Sequence, residues 1–382
     1  MSGDVRTLQR PRVVVINAVS AVLGGGITVV RGLVGALARQ RPDDRFVLFF
    51  SHRQVAEIEY PSNVELVYLP HLVSRFRRWI WEQAVFPLAV WRRGADIVLN
   101  LGGYASFACT AAQVSVWQNP NVFSPPNHKL PVLLQHYIRL QRWVQHLSMA
   151  KVDSNIFLTR NSLEMAGRIW NMDRIPHAVI HNGIDAERLT VSPPPDLTAR
   201  ERRALSIGDA YAHKNYEAMI DAIAEYRDRF GEPLPLEIVG GAAYDQRYFA
   251  SLGRRIRERG LEDLVRMSGR ATAEQVRAKL AAARVYIVTS RLESFGLTMF
   301  EAMGAGIPVV ASNATCHAEV CGDAAVYCDP DDPGDIAAAL HRVLHDDALQ
   351  RELQQRGYEQ IRHFPWDRSA ARYLEVLEAV ER

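Results

Sequence analysis

Hydrophobic positions in this chain form short runs rich in β-branched residues. These runs alternate with longer segments in which apolar residues recur every three or four positions. Residues 13–16, Val-Val-Val-Ile, form the first run, and residues 285–290, Val-Tyr-Ile-Val-Thr-Ser, form a later one. Such runs are typical of buried strands, and such segments are typical of helices with one exposed face. Their alternation predicts parallel sheets joined by right-handed crossovers.

The predicted strands fall into two series, which indicates two domains of ordinary size. Three consecutive prolines within 191–200 predict a stiff linker between them. We therefore predict an α/β protein with two doubly wound, Rossmann-like domains at 1–190 and 201–364 and a last amphipathic helix within 365–382. The strands are predicted at 12–17, 46–50, 64–68, 95–100, 113–117, 155–159, 177–181, 204–207, 236–239, 265–268, 285–290, 307–312 and 324–328.

The stretch 285–312 predicts a strand, a polar turn, a helix and a second strand. Ser294 is placed to cap the helix, which we expect to begin near 295–296 and to end at 304–306. In such a unit the carboxyl end of the strand and the amino end of the helix face the ligand crevice. Free N–H groups at a helix start favour a phosphate, and Gly296 allows a close approach of the backbone.

Two glutamates lie on either side of this helix start. Glu293 precedes the helix, and Glu301 is placed one or two turns along it. Carboxylates on both sides of a phosphate-binding helix start suit a nucleotide sugar, which has ribose hydroxyls on one side and hexose hydroxyls on the other. Taken alone, the same residues also fit an ordinary crossover helix with solvated glutamates.

The full string is more specific, because Glu, Phe-Gly, Glu-Ala-Met and Gly-x-Pro-Val follow one another in order. It resembles the donor-site signature of the retaining glycosyltransferases of family 4, the group 1 glycosyl transferases. The resemblance implies the GT-B fold, in which the two domains face a cleft and the last helix crosses back to the first domain. It also implies that the first glutamate contacts the donor sugar and the second binds the ribose. The donor-binding residues implied are Glu293, Ser294, Phe295, Gly296, Leu297 and Glu301.

A second phosphate contact is predicted after the first strand of the second domain. Gly208 ends that strand and Lys214 follows it. The resemblance implies that Lys214 binds the diphosphate and acts in catalysis together with Glu293. Family members often have arginine where this chain has Asp209, and a carboxylate there would repel phosphate. We expect either that Lys214 acts with the helix dipole alone or that Arg270 or Arg291 supplies the missing charge, and we also predict that Arg270 contacts the nucleobase.

In the first domain, a glycine triplet follows the first strand. Gly25 and Gly26 bring backbone N–H groups to a phosphate or sugar hydroxyl, or else form a tight turn that needs positive φ. The resemblance implies that they lie beside the reaction centre. Gln118 and Asn119 stand where many family members have His-Asp. Gln118 is our candidate at the transferred sugar, although an amide cannot exchange protons near neutral pH. His128 and His136 are nearby in sequence, and we expect them at the surface.

The amino-acid composition limits the classes of binding partner. The 382 residues include 48% hydrophobic and 23% charged residues, and the formal net charge is +2. So small a positive charge gives no support for nucleic-acid binding. We recognise neither a secretory leader nor an apolar run of membrane-spanning length, and we expect a cytoplasmic protein. The four cysteines lack metal-site spacing, and we expect buried free thiols.

One segment mixes basic and aromatic residues: Arg75 to Trp81, Arg-Phe-Arg-Arg-Trp-Ile-Trp. Two interpretations fit it equally. It forms a peripheral contact with anionic lipid at the inner face of the membrane, or it is a solvated helix face whose tryptophans enter the core.

The sequence therefore predicts a retaining hexosyltransferase that moves a mannose-like or other hexose from a nucleotide diphosphate sugar to a hydroxyl of a sugar or of a lipid-linked oligosaccharide. Bacterial surface polysaccharide or glycolipid synthesis is the expected setting. No cofactor and no metal are expected, and we assign Asp329-Pro-Asp331 to a helix start. The alternatives are a non-catalytic sugar-nucleotide-binding subunit and a GT-B sugar-nucleotide epimerase.

Overall fold

The structure is a computed structural model, which describes residues 10–22, 24–119, 123, 132–192, 196–242 and 245–380. The chain divides into two compact units. The first is built from residues up to Leu158, from Ser162–Gly183 and from Trp366 onward. The second is built from Thr159–Asn161 and Ile184–Pro365. The change of unit falls after Gly183, within the segment that the sequence assigned to the first domain. Of the linker predicted at 191–200, only Pro193–Pro195 lie outside the described residues, and Leu197–Ala199 form a short 3-10 helix.

The first unit contains a seven-stranded parallel sheet in the order β3-β2-β1-β4-β5-β6-β7. Its strands are β1 Val13–Ala18, β2 Arg45–Phe50, β3 Val64–Tyr68, β4 Ile97–Asn100, β5 Ala112–Trp117, β6 Ser154–Phe157 and β7 His177–Val179. Its helices are α1 Gly24–Gln40, α2 Arg53–Ala56, α3 Arg75–Ala84, α4 Phe86–Arg92, α5 Val132–Lys151, α6 Arg160–Gly167, of which the first two residues group with the second unit, and the last helix, Trp366–Ala379.

The second unit contains a six-stranded parallel sheet in the order β10-β9-β8-β11-β12-β13. Its strands are β8 Glu201–Ile207, β9 Leu236–Val239, β10 Val265–Gly269, β11 Ala283–Val288, β12 Val309–Ser312 and β13 Ala325–Cys328. Its helices are α7 Ala186–Leu189, α8 Tyr216–Phe230, α9 Gln246–Glu258, α10 Ala273–Ala282, α11 Leu297–Gly304, α12 His317–Cys321, α13 Pro333–His345 and α14 Asp347–Arg362; Trp366–Ala379 is then α15.

These strands form where the sequence predicts them because parallel strands covered on both faces must be apolar on both faces. Every residue of β4 and β9 is buried, for example. Both sheets reverse their strand order once, between β1 and β4 in the first unit and between β8 and β11 in the second. Ligands of open α/β sheets bind outside the carboxyl ends of the strands at such a reversal. The fold class predicted from the sequence is confirmed.

Two local predictions were wrong. Ser294 does not cap α11, because Gly296 is the N-cap and no side chain bonds the first free N–H groups. Gly25 and Gly26 do not form a turn of positive φ, because α1 already begins at Gly24 and neither residue has a positive φ. They lie instead in the first turn of α1. All four cysteines are buried free thiols, as predicted.

Among the described helices, none is both long enough and apolar enough to cross a bilayer.

Candidate functional site

The candidate site lies at the strand reversal of the second unit, where Gly208 follows β8. The Gly208 carbonyl accepts a hydrogen bond of 2.8 Å from the Tyr216 hydroxyl. A Cβ on Gly240 would lie 1.9 Å from the same carbonyl oxygen, so the two strand ends approach as only glycine permits. A Cβ on Gly208 would lie 3.7 Å from Nζ of Lys214. Lys214 thus lies directly beside the backbone that follows β8.

Lys214 and Glu293 form an ion pair in this unit. Only 17% of the Lys214 side chain and 13% of the Glu293 side chain are exposed. Burial opposes ionisation of Glu293, but the adjacent Lys214 ammonium outweighs it and holds the pKa of the carboxyl below its ordinary value. The two residues that the sequence assigned to catalysis are thus in direct contact, although they are 79 positions apart.

The loop around Glu293 is fixed by residues that sequence reasoning missed. The Thr315 hydroxyl accepts a 2.9 Å hydrogen bond from the Glu293 N–H and donates one of 3.0 Å to the Glu293 carbonyl. Thr315 has a φ of 62°, which is unusual for a β-branched residue and costs conformational energy. Ser290 donates a longer hydrogen bond, 3.4 Å, to the Glu293 carboxylate. Both backbone and side chain of Glu293 are therefore held.

The turn that carries Lys214 is tied to the end of β11. Thr289 donates hydrogen bonds of 3.2 Å and 3.1 Å to the carbonyls of Lys214 and Asn215. Asn215 is left-handed, with a φ of 58°, and its amide donates to Pro330 O at 2.7 Å. Asparagine tolerates this conformation better than most residues. The position of the lysine is therefore set by packing and hydrogen bonds before any ligand binds.

At the amino end of α11, backbone groups rather than side chains are available to contact a ligand. Gly296 has a φ of 81°, which favours glycine. Phe295 is 1% exposed, and its ring packs against Phe300 and Phe364 with centroids 5.2 Å and 5.7 Å away, respectively. Its side chain is therefore part of the core, and only its backbone remains for a ligand. Ser294 and Leu297 are half-buried on either side.

Glu301 lies on α11 and differs from Glu293 in its surroundings. Burial raises the pKa of its carboxyl, and the positive charge of Arg188 offsets this only in part. Among the described residues, none forms a hydrogen bond with this carboxylate. A half-buried carboxylate without such a hydrogen bond is less stable than a solvated one, and the hydroxyls of a ligand would stabilise it. This residue is therefore suited to receiving donor hydroxyls.

Asp209 does not repel an anion as the sequence suggested. Arg270 binds both of its oxygens, at 3.1 Å and 2.7 Å, and the Gly241 N–H donates to one of them at 2.8 Å. The aspartate is thus neutralised, and Arg270 is tied to it while 61% of the arginine side chain stays exposed.

The other proposed cation, Arg291, is also paired. It contacts Asp331 at 2.6 Å and Glu217 at 3.8 Å. Asp329 accepts a hydrogen bond from the Asp331 N–H. The Asp-Pro-Asp segment is thus held by an arginine and by its own turn.

Two histidines border the ion pair. His213 has a pKa lowered to about 4 by burial and by the Lys214 charge, against the pull of Glu293. His317 is fully buried and its pKa is also about 4, again mainly because of burial. Its Nδ1 lies 3.0 Å from the Ser312 hydroxyl. Both rings are neutral near pH 7, so Lys214 supplies the positive charge beside Glu293.

The residues predicted in the first unit lie at the carboxyl ends of its strands. Gln118 follows β5, is partly exposed, and donates a 3.1 Å hydrogen bond to Leu101 O. Gly25 is exposed and Gly26 half-buried in the first turn of α1. His128, and the side chain of His136, lie outside the described part of the chain.

Solved structures of similar shape show the class of fold. The sucrose-phosphate synthase of Thermosynechococcus elongatus superposes on this chain with a TM-score of 0.75 at 19% identity. The superposition covers 96% of this chain and 98% of the synthase. HepE of Anabaena, solved in complex with UDP-glucose, gives 0.73 at 18% identity over 96% and 99% of the two chains. The two parallel-sheet units are those of GT-B glycosyltransferases.

Sequence comparison then gives the family. Residues 192–360 match the family described as "Glycosyl transferases group 1". The O-antigen chain mannosyltransferase B of Escherichia coli is 34% identical over 169 residues, which are 43% of this chain and 42% of that protein. The mannosylfructose-phosphate synthase of Agrobacterium fabrum is 29% identical over 46% of this chain and 40% of its own length. The chain thus spans less than half of these two curated relatives. Residues 192–360 of this chain are thus similar to the group 1 glycosyl transferases.

Proposed function

We propose that this protein is a retaining glycosyltransferase that moves a mannose-like or other hexose from a nucleotide diphosphate sugar to an acceptor hydroxyl. The observation that carries the proposal is the arrangement around α11. A mostly buried Lys214–Glu293 pair precedes a helix start that no side chain caps, and Glu301, whose carboxylate has no hydrogen-bond partner among the described residues, follows on the helix. Together these groups offer positive charge to phosphates and acceptors to hydroxyls on both sides.

Each group has a distinct role in this proposal. Lys214 and the amides at 294–297 would hold the diphosphate, which gains charge as the glycosidic bond breaks. Charge stabilisation by groups already in place is a large contribution to catalysis, because nothing has to reorganise during the reaction. Glu293 would accept hydrogen bonds from the hexose, and Glu301 from the ribose. No protein nucleophile, cofactor or metal ion is part of the proposal.

The contacts that hold the ion pair support this assignment. Thr315 and Ser290 fix Glu293, and Thr289 fixes the turn of Lys214. Such positioning reduces the entropy lost when a donor binds. We revise the role of Arg270, since it neutralises Asp209 instead of being free for phosphate. Its exposed remainder can still contact a nucleobase. The first unit would present the acceptor, with Gln118, Gly25 and Gly26 as hydrogen-bonding groups.

The setting proposed is bacterial surface polysaccharide or glycolipid synthesis, at the cytoplasmic side of the membrane. It is supported by the relative described as an O-antigen chain mannosyltransferase. The nucleotide sugar is supported by the HepE structures, which contain UDP-glucose or UDP. The acceptor would be a sugar or a lipid-linked oligosaccharide.

A panel of nucleotide sugars tests the function. We expect one donor to raise the unfolding temperature, and the same donor to transfer its hexose with unchanged anomeric configuration when an acceptor panel is added. Mass spectrometry detects the product and NMR its anomeric centre. Donor binding without transfer to any acceptor would favour the non-catalytic subunit. A donor converted in the absence of acceptor would favour the epimerase, and inversion would refute retention.

We also propose a peripheral membrane contact through α3 and α4. Large apolar side chains are exposed there, which is unusual for a surface that meets only water. They are Phe76, Trp79, Ile80, Val85, Leu88 and Trp91, of which Phe76 and Trp91 are each 70% exposed. Arg77 and Arg92 are exposed beside them. Of the tryptophans of α3 and α4, only Trp81 is buried in the core, where its ring packs against Phe49 and Phe86.

We predict that the wild-type protein sediments with anionic phosphatidylglycerol vesicles and that Arg77→Ser with Arg92→Ser weakens this binding about thirtyfold, since each basic residue near such a surface contributes about 1 kcal/mol. Arg78 is left intact because it donates to Val19 O at 3.1 Å, and the Arg75 side chain lies outside the described residues. Arg53→Ser is the matched control, since Arg53 is 84% exposed and lies on α2. A wild type that never sediments would refute the membrane contact.

A further inference from the structure

A buried carboxyl group lies at the strand reversal of the first unit. Glu82, in the last turn of α3, is only 8% exposed. The Asn17 side-chain amide donates a 3.2 Å hydrogen bond to one of its carboxylate oxygens. Asn17 is the next-to-last residue of β1, where the sheet reverses its strand order. Glu82 therefore lies at the edge of the sheet where open α/β proteins bind their ligands.

A chain of amides fixes the side chain that holds Glu82. The Asn17 amide also donates to Asn100 Oδ1, 3.4 Å away at the end of β4. The Asn100 amide donates in turn to Gln113 Oε1 at 3.3 Å, and the same oxygen accepts from the Ser106 N–H at 3.0 Å. Each amide in this chain therefore has one orientation, and an N–H of Asn17 stays on one oxygen of Glu82.

The second carboxylate oxygen of Glu82 remains open to a ligand. It receives no hydrogen bond from any described residue, and it is not sealed from solvent. Burial raises the pKa of the carboxyl to about 7, and the hydrogen bond from Asn17 and the positive charge of Arg78 offset this only in part. Ser106, which donates to the Glu82 carbonyl at 2.8 Å, is uncharged. A hydroxyl donated by a ligand would stabilise the free oxygen.

Gln118, the acceptor-binding residue already proposed, lies at the same edge of the sheet. Its amide donates to Leu101 O, directly after β4, and the Leu101 N–H donates to Asn17 O at 3.0 Å. Gln118 and Glu82 therefore contact the ends of two adjacent strands, whose axes are about 4.8 Å apart. This separation is comparable to the width of one sugar ring, so a single sugar residue is large enough to meet both side chains.

We propose that Glu82 is a further acceptor-binding residue, which accepts a hydrogen bond from an uncharged sugar hydroxyl at the strand reversal of the first unit. This role rests on the glycosyltransferase function proposed above and narrows its acceptor. An ionised carboxylate accepts hydrogen bonds but cannot donate them, and its charge repels phosphates and other carboxylates. The acceptor therefore presents a hydroxyl here rather than an anionic group. Glu82 orients this hydroxyl and takes no proton from it.

Glu82→Gln tests this role, because glutamine keeps an oxygen for Asn17 and removes the charge. At saturating donor we expect the acceptor KM to rise at least tenfold, the effect of losing a hydrogen bond to a charged group. The kcat and the donor Kd should stay close to those of the wild type. Glu65→Gln is the matched control, since Glu65 lies on β3 of the same unit and is paired with Arg45 and Arg93. Its acceptor KM should be unchanged.

A pH profile separates acceptor binding from a purely structural role. The ionised fraction of a group with the pKa of Glu82 rises about tenfold between pH 6 and pH 8, and the wild-type kcat/KM for the acceptor should rise by a similar factor. In Glu82→Gln this rise should be absent.

Stability should change in the opposite sense. The folded-state pKa of Glu82 is raised, so its contribution to stability is fully present below the ordinary value of 4.5 and is lost as pH rises through about 7. Glutamine cannot ionise. The free energy of unfolding of Glu82→Gln, measured by chemical denaturation, should therefore increase relative to that of the wild type as pH rises, and the same measurement shows that the variant folds.

Acceptor binding is also measured without turnover, by saturation-transfer NMR. The probe is the acceptor found in the panel or, where no transfer occurs, methyl α-mannopyranoside and methyl α-glucopyranoside. Binding to the wild type and its loss in Glu82→Gln would support the role of Glu82 even if the glycosyltransferase function fails. No binding to the wild type, equal binding or equal acceptor KM in the two proteins, a shared pH profile, or a preference for a phosphorylated acceptor would overturn it, even where sugar transfer is demonstrated.

Discussion

Lys214→Met should lower kcat/KM for sugar transfer by about 10²–10³-fold, the loss typical when one charge-stabilising group is removed from a transition state. Methionine keeps the apolar stem and removes only the ammonium. Initial rates with the donor identified by the panel measure this effect. Lys279→Ala is the matched control, because Lys279 is paired with Glu237 in the same unit but has no place in the proposed site. Its rate should be close to that of the wild type.

The same substitution has a pH-dependent effect on stability, whose sign follows from Glu293. Lys214 holds the pKa of this buried carboxyl below its ordinary value of 4.5. The ion pair therefore stabilises the fold above that ordinary value, and the stabilisation is lost as pH falls through the lowered pKa. Lys214→Met should cost about 3 kcal/mol at neutral pH, as for other broken buried pairs. The cost should shrink on acidification, as chemical denaturation would show. A pH-independent cost would contradict the pairing.

Glu301→Gln should weaken donor binding and stabilise the protein at the same time. Loss of hydrogen bonds to a charged group costs about 1.5–3 kcal/mol, which is a roughly tenfold to hundredfold rise in Kd by calorimetry. Glu301→Ala should have a similar effect. Glu225→Gln is the matched control, since Glu225 is exposed on α8 of the same unit. An unchanged Kd would remove Glu301 from the site.

The gain in stability follows from the raised pKa of Glu301. Burial disfavours its charged form, so its contribution to stability is fully present below the ordinary pKa and is lost as pH rises through the raised one. Glutamine cannot ionise and avoids this loss. The unfolding temperature of Glu301→Gln should exceed that of the wild type by a margin that grows with pH. A substitution that weakens binding and raises stability is expected where a functional group is held in an unfavourable environment.

Ion pairs within the second unit could not be predicted from the sequence. From the sequence alone, we expected the Asp209 carboxylate to repel phosphate. Arg270, 61 positions away, neutralises it in the fold. Thr315 gave no signal, because its left-handed backbone is imposed by its two bonds to Glu293.

The sequence by itself determined the two parallel-sheet units and the order of the groups along 293–301. Both follow from local causes: fully buried strands must be apolar on both faces, and a motif keeps its spacing whatever surrounds it. Only the tertiary structure decided which groups are charged, paired or exposed. It paired Lys214 with Glu293, left the Glu301 carboxylate without a hydrogen bond from any described residue, and placed Trp81 inside and Trp91 outside. Burial and ion pairing depend on residues far apart in the chain, and those meet only when the chain folds.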